Sequence, residues 1–96
     1  MNKQRAIQTL TNSKALLHKR FGVSRLALFG STARDDATAN SDVDILVSFD
    51  GKATSKRYFG VQFFLEDLLG CSVDLVTEKA LRAELRPHIE REAIDV

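Results

Sequence analysis

Three aspartates, Asp42, Asp44 and Asp74, concentrate the chemistry this chain could perform. The first two are separated by one residue in Ser41-Asp42-Val43-Asp44-Ile45-Leu46-Val47, and the third opens another apolar run, Val73-Asp74-Leu75-Val76. In an extended strand, residues two apart project from the same face. Asp42 and Asp44 therefore share one face, while Val43, Ile45 and Val47 point into the opposite layer. Two like charges about 4 Å apart repel by roughly 4 kcal/mol at an effective dielectric near 20. A divalent cation reverses that sign, and magnesium takes a few carboxylates with phosphate oxygens rather than an all-protein cage. The pair thus reads as half of a nucleotide-metal site. Gly30-Ser31 reads as the phosphate half. Glycine lets a backbone approach a ligand closely, and a helix start presents free N–H groups and a positive dipole end. Ser31 adds a hydroxyl, and Arg34, one turn on, could reach the same phosphates with a fork of donors. Singly, each feature is an ordinary cap, loop end or surface side chain. Their order along the chain carries the reading.

These residues need a scaffold, and the pattern around them supplies one. Ala6, Ile7, Leu10, Leu17 and Phe21 recur at helical spacing, predicting a helix over residues 2–20 that Gly22 ends. Leu26-Ala27-Leu28-Phe29 is a short buried strand that stops at Gly30-Ser31-Thr32. A short helix from Thr32 to Ala37 and a loop to Ser41 follow. The β-branched run predicts a strand over residues 43–49, closed by the Asp50-Gly51 turn. Residues 55–69 read as a helix capped by Thr54 or Ser55 and stopped by Gly70. Val73 to Val76 is the next strand. Residues 78–93 read as helical, with a break near Arg86 and a new helix starting at Pro87, since proline is tolerated only in a first turn. The fold class is α/β: a small mixed sheet flanked by helices, with three strands, or four if Ile94-Asp95-Val96 adds an edge. The helical crossover is long enough to make strands 43–49 and 73–76 parallel neighbours. Their starts, and all three aspartates, then meet at one edge. The strand before Gly30 runs antiparallel, which brings Gly30 and Ser31 beside the carboxylates.

Composition excludes several classes. Ninety-six residues make one domain, 1–96, with no room for a separate substrate domain. A net charge of +1 is no footprint for duplex DNA. Cys71 is the single cysteine, which excludes a disulfide scaffold and a cysteine-rich zinc site. No apolar run is long enough to span a membrane, and Met1 to Arg5 lacks a signal-peptide core, so a cytoplasmic location is expected. His18 and His88 have no partner at metal-ligand spacing. On the helix over 55–69, Tyr58, Val61, Phe64, Leu65, Leu68 and Leu69 form one apolar arc, and Phe59 and Phe63 fall on the opposite face. That pair is either a second core layer under the final helix or a partner interface.

The motif resembles the signature of the DNA polymerase β-like nucleotidyltransferase superfamily: Gly-Ser, ten residues, then Asp-x-Asp. It stands here as Gly30-Ser31, the ten residues Thr32 to Ser41, and Asp42-Val43-Asp44. Leu28-Phe29 before it and Val73-Asp74-Leu75-Val76 beyond it match as well. The short length and the tail from Glu78-Lys79-Ala80-Leu81 to Arg91-Glu92-Ala93-Ile94 are like the minimal nucleotidyltransferases, usually encoded beside a small all-helical HEPN protein as antitoxin and toxin. One position departs: Asp35, followed by Asp36, stands where the family often has glycine after the arginine. These two acids could lie near the phosphates or face solvent.

The resemblance implies a nucleotidyltransferase fold and magnesium-dependent transfer of a nucleoside monophosphate, AMP from ATP, to a hydroxyl. The acceptor it implies is a tyrosine of a partner HEPN toxin. Asp42 and Asp44 would bridge two metal ions about 3.5–4 Å apart. Asp74 would hold the metal nearest the nucleophile and take the hydroxyl proton. Gly30, Ser31 and Arg34 would bind the nucleotide's phosphates. Two alternatives remain: an antitoxin acting by contact alone, and an antibiotic-type transferase acting on a small molecule. The last needs a pocket that a single small sheet does not offer, though a homodimer through Phe59 and Phe63 could build the missing wall.

Overall fold

The computed structural model describes all of residues 1–96. Helix α1, Lys3–Phe21, starts where the Asn2 side chain accepts the Arg5 N–H at 2.8 Å and ends at Gly22 in the left-handed region. Ala6, Leu10, Ser13 and Leu17 form its buried stripe. Strand β1, Val23–Phe29, runs into a single helical turn, α2, Gly30–Ala33. Strand β2, Val43–Phe49, helix α3, Ser55–Leu69, and strand β3, Val73–Thr77, follow. A 3-10 turn over Glu78–Ala80 leads to α4, Arg86–Glu92, and to the short strand β4, Ile94–Asp95.

The four strands lie in the order β3-β2-β1-β4. β1 is antiparallel to β2 and to β4, and β2 is parallel to β3 across the α3 crossover. The fourth, edge strand at the chain's end is therefore real. Alternation splits the sheet between two layers. Val43, Ile45 and Val47 join Leu10, Leu17, Val61 and Leu65 in the main core beneath α1 and α3. Leu46 faces the other way, with Ala27 and Phe29, under Ile89 of α4 and Ala93 just after it.

Four expectations change. The first strand begins at Val23 rather than Leu26, and its register against β2 slips between Val23 and Arg25. That irregularity breaks the alternation, so Val23 and Leu26 are both buried in the main core although three residues apart. The helix expected over 32–37 is one turn that starts earlier, at Gly30, and stops by Ala33. The first part of the helical stretch expected over 78–93 is instead a 3-10 turn and a connecting segment, while the expected break near Arg86 holds and α4 starts there with Pro87 in its first turn. On α3, Leu68 is 45% exposed instead of packed.

Arg25 ties the C-terminal elements to the sheet. Its guanidinium lies 2.7 Å from Asp95, 3.0 Å from Glu90 and 3.5 Å from Glu78. The hydrogen bond from Arg25 holds Asp95 below the usual carboxylate range, and the Ser48 hydroxyl, followed by Arg25, does the same for Glu78. A carboxylate whose pKa falls on folding stabilises the fold above its unfolded value, and that stability is lost as pH falls through the folded value. Acidification through the carboxylate range should therefore loosen α4 and β4. These groups are partly exposed, so the effect should be under about 1 kcal/mol per pair. Melting curves against pH check it: Asp95→Asn should flatten part of the acid-side loss, and an unchanged slope would remove Arg25–Asp95 from the account.

Candidate active site

The strand register assembles the predicted residues at one end of the sheet. Asp44 pairs with Phe29 across the antiparallel ladder and with Asp74 across the parallel one. The residue after Phe29 is Gly30, so the end of β1, the start of β2 and the start of β3 converge. Asp42 immediately precedes β2 and is exposed, Asp74 is exposed, and Asp44 is half-buried between them.

Gly30 is dictated by its neighbour. Its φ is +74°, and a Cβ built there would stand 2.0 Å from Asp44 Oδ2. No side chain fits between the turn and that carboxylate. Burial pushes the Asp44 carboxyl up to about 6, with the Asp74 charge, a hydrogen bond with Asp74 and the Asp42 charge adding to the rise. Arg34 opposes the shift only weakly. Its guanidinium is engaged elsewhere, Nη1 with Glu92 at 3.1 Å and Nε with Asp36 at 3.3 Å. The carboxylates thus form a repelling group without a cationic side chain of its own. All its donors are hard oxygens, the set that suits magnesium or another hard divalent cation. Asp42, Asp44 and Asp74 are the candidates to hold one, and in this structure their carboxylates do not close into a ready-made metal-ligand group.

The phosphate half differs from expectation in one respect. The Gly30 N–H already donates to Glu92 Oε1 at 3.0 Å, and α2 is too short to carry a useful dipole. Gly30 therefore contributes its close approach to Asp44 rather than a donor to phosphate. Ser31 is half-exposed and Arg34 exposed, so both are accessible from solvent beside the carboxylates. Glu92 is the member of this site that the sequence reading missed. No local periodicity announces it, since it arrives from 62 residues away through the docking of α4.

Asp35 is resolved by its backbone. Its φ is +62°, the left-handed region that favours glycine and that aspartate tolerates better than most residues. Its carboxylate accepts the Lys3 N–H at 3.3 Å, toward the start of α1, while Asp36 pairs with Arg34. Asp42, Asp44 and Asp74 line none of the three cavities in the molecule; one of 300 Å³ lies toward the far ends of β2 and β3, between Val47, Ser48, Thr77 and Glu78. The carboxylates stand on an open rim. Phe59 and Phe63, 49% and 64% exposed, stack on each other on the outer face of α3 and are not a second core layer under the final helix, which packs on the other side of the sheet.

A family model described as a nucleotidyltransferase domain matches residues 11–96. The protein adenylyltransferase MntA of Thermococcus cleftensis is 39% identical over 87 residues, covering 91% of this chain and 88% of that protein. A solved structure assigned as a minimal nucleotidyltransferase superposes with a TM-score of 0.85 at 35% identity, over 100% of this chain and 97% of its own. A chain from the complex of tri-AMPylated Shewanella oneidensis HEPN toxin with MNT antitoxin gives a TM-score of 0.68 at 19% identity, over 94% of this chain and 70% of that one. At that identity the likeness is one of fold.

Proposed function

The chain belongs to the nucleotidyltransferase domain family, and on that premise we propose that it transfers AMP from ATP to a hydroxyl of a partner protein, a HEPN toxin, and so acts as the antitoxin. The observation that carries this reading is the register that sets Asp44 between Gly30 and Asp74. The similarity to a protein adenylyltransferase supports the reaction class. The shared fold with an antitoxin from an AMPylated toxin complex supports the partner. An open rim admits a tyrosine side chain presented by another protein more readily than it encloses a small molecule.

The reaction balances simply. The acceptor hydroxyl oxygen forms a bond to the α-phosphorus, the bond from that phosphorus to the β-bridging oxygen breaks, and pyrophosphate leaves with the electron pair. Asp42, Asp44 and Asp74 would hold magnesium, which when bound neutralises charge developing on the transferred phosphoryl group. Asp74, exposed at the start of the edge strand, would take the hydroxyl proton. Ser31 and Arg34 bind the departing phosphates, Arg34 as a charged fork. Positioning and charge neutralisation then account for most of the rate, as in phosphoryl transfer generally.

The test is direct. The protein is incubated with ATP, magnesium and a HEPN toxin encoded beside it, and the toxin is weighed by mass spectrometry. One or more added AMP groups on tyrosine are expected, and an unmodified toxin under varied nucleotides and metals would overturn the proposal. The exposed Phe59–Phe63 pair keeps a second reading in play, neutralisation by contact alone. An Asp42→Asn, Asp44→Asn double variant separates the two. Neutralisation should vanish while the complex still forms; neutralisation that survives assigns the effect to contact.

A further inference from the structure

Glu92 reaches the site from the last helix and touches both ends of the phosphate-facing turn. Its Oε1 accepts the Gly30 N–H at 3.0 Å, and its Oε2 accepts from Arg34 Nη1 at 3.1 Å. Such a carboxylate could be a stand-in for phosphate, expelled when a nucleotide arrives, or a fixture that shapes the turn. The surroundings favour the fixture. Gly30 is buried, so its N–H has no open route to an incoming phosphate. Glu92 is followed by Ala93 and preceded one turn earlier by Ile89, and both pack against the layer of Ala27, Phe29 and Leu46. Ile94, two residues on, is paired with Leu28 of β1. The docking of Ile89, Ala93 and Ile94 holds the Glu92 backbone in place, and swinging its side chain away would leave the buried Gly30 N–H without a partner.

We propose that Glu92 is a positioning residue for nucleotide binding. One oxygen locks the Gly30 turn against Asp44, and the other fixes the Arg34 guanidinium so that its remaining N–H groups, with the Ser31 hydroxyl, meet the triphosphate. Asp36 on Nε secures the same guanidinium from the other side. The inference rests on the phosphate role given to Arg34 above.

Calorimetric titration with magnesium and either a non-hydrolysable ATP analogue or AMP tests it, using wild type, Glu92→Gln, Arg34→Ala and the double variant. Glutamine keeps an oxygen for the Gly30 N–H but gives up the ion pair. Loss of one well-placed charged contact should weaken the analogue by about 5-fold. AMP, which lacks the outer phosphates, should bind as before, and the effect should disappear in the Arg34→Ala background. Glu92→Asp keeps the charge but is too short to span both partners, and it should show the same selective loss. Tighter analogue binding by Glu92→Gln would make the carboxylate a competitor of phosphate and overturn the proposal. Unchanged binding in both Glu92 variants, or a loss that persists without Arg34, would also overturn it. If Arg34→Ala alone binds the analogue like wild type, the phosphate role of Arg34 is what has failed.

Discussion

Asp44→Asn should lower AMP transfer by roughly 10³-fold or more, and should leave the protein at least as stable as wild type. The first part follows from position. Asp44 is the one carboxylate in register with both neighbouring strands, opposite Phe29 on one side and Asp74 on the other. A cation held by Asp42 and Asp74 would lose its central ligand. Removing a single electrostatic contact aimed at developing charge typically costs 10²- to 10³-fold, and a shared metal ligand does more than one such contact. The second part follows from the cost of ionising this group. Burial, the Asp74 charge and the Asp42 charge together hold its carboxyl up to about 6. A neutral amide of nearly the same shape removes the repulsion and can keep a hydrogen bond with Asp74. The measurements are a transfer assay with a HEPN toxin and a melting curve in chelator. Transfer within 10-fold of wild type would dismiss the assigned role. A melting point well below wild type would show that Asp44 supports the fold rather than burdening it.

The ease of reading this site from the sequence came from one strand. In Asp42-Val43-Asp44-Ile45-Leu46-Val47, strict alternation sends valine and isoleucine to the main core and the acids to the other face, and the structure keeps that assignment. The crossover is long enough to allow a parallel partner, and the pairing of Asp44 with Asp74 follows that expectation. Within the ten-residue segment the backbone exposes one local demand: the turn after Arg34 takes a left-handed residue, supplied here by Asp35. The parts that could not be read depend on register irregularities and distant docking. At Val23 to Arg25 the ladder slips, so a period of two assigns the wrong face to one end of β1. The segment from Leu81 to Leu85 has helix-forming residues but no capped helix, because the chain must turn to bring α4 over Phe29 and Leu46. Glu92 looks like any exposed acid near a helix end. Its partners are set by the pairing of Ile94 with Leu28, a contact no window of sequence contains.

Gly30→Ala should be the most damaging small substitution in the chain, and its damage should be traceable to Asp44. At φ +74°, an alanine carries a cost of about 1–2 kcal/mol for the left-handed backbone alone. Its Cβ would also lie 2.0 Å from Asp44 Oδ2, 2.8 Å from Cγ and 3.0 Å from Cβ. Aspartate is short, and the Cβ of this one is fixed by the pairing of β2 with both neighbouring strands, so turning its carboxylate away relieves the closest contact only by moving it from Asp74. Overpacking of this kind adds about 1–3 kcal/mol. Taking about 3 kcal/mol for the sum, a domain of this size should melt about 12–24 °C lower. Transfer should be lost even at temperatures where the variant is folded, because the carboxylate is displaced from its neighbours. A double-variant cycle with Asp44→Ala separates the two costs. Truncating Asp44 removes the two contacts below 3.0 Å, so the second substitution should restore the steric part of the stability and leave the backbone part. Strictly additive losses would instead place all the damage in the backbone of the turn, and the fit of Gly30 against Asp44 would then have no energetic standing.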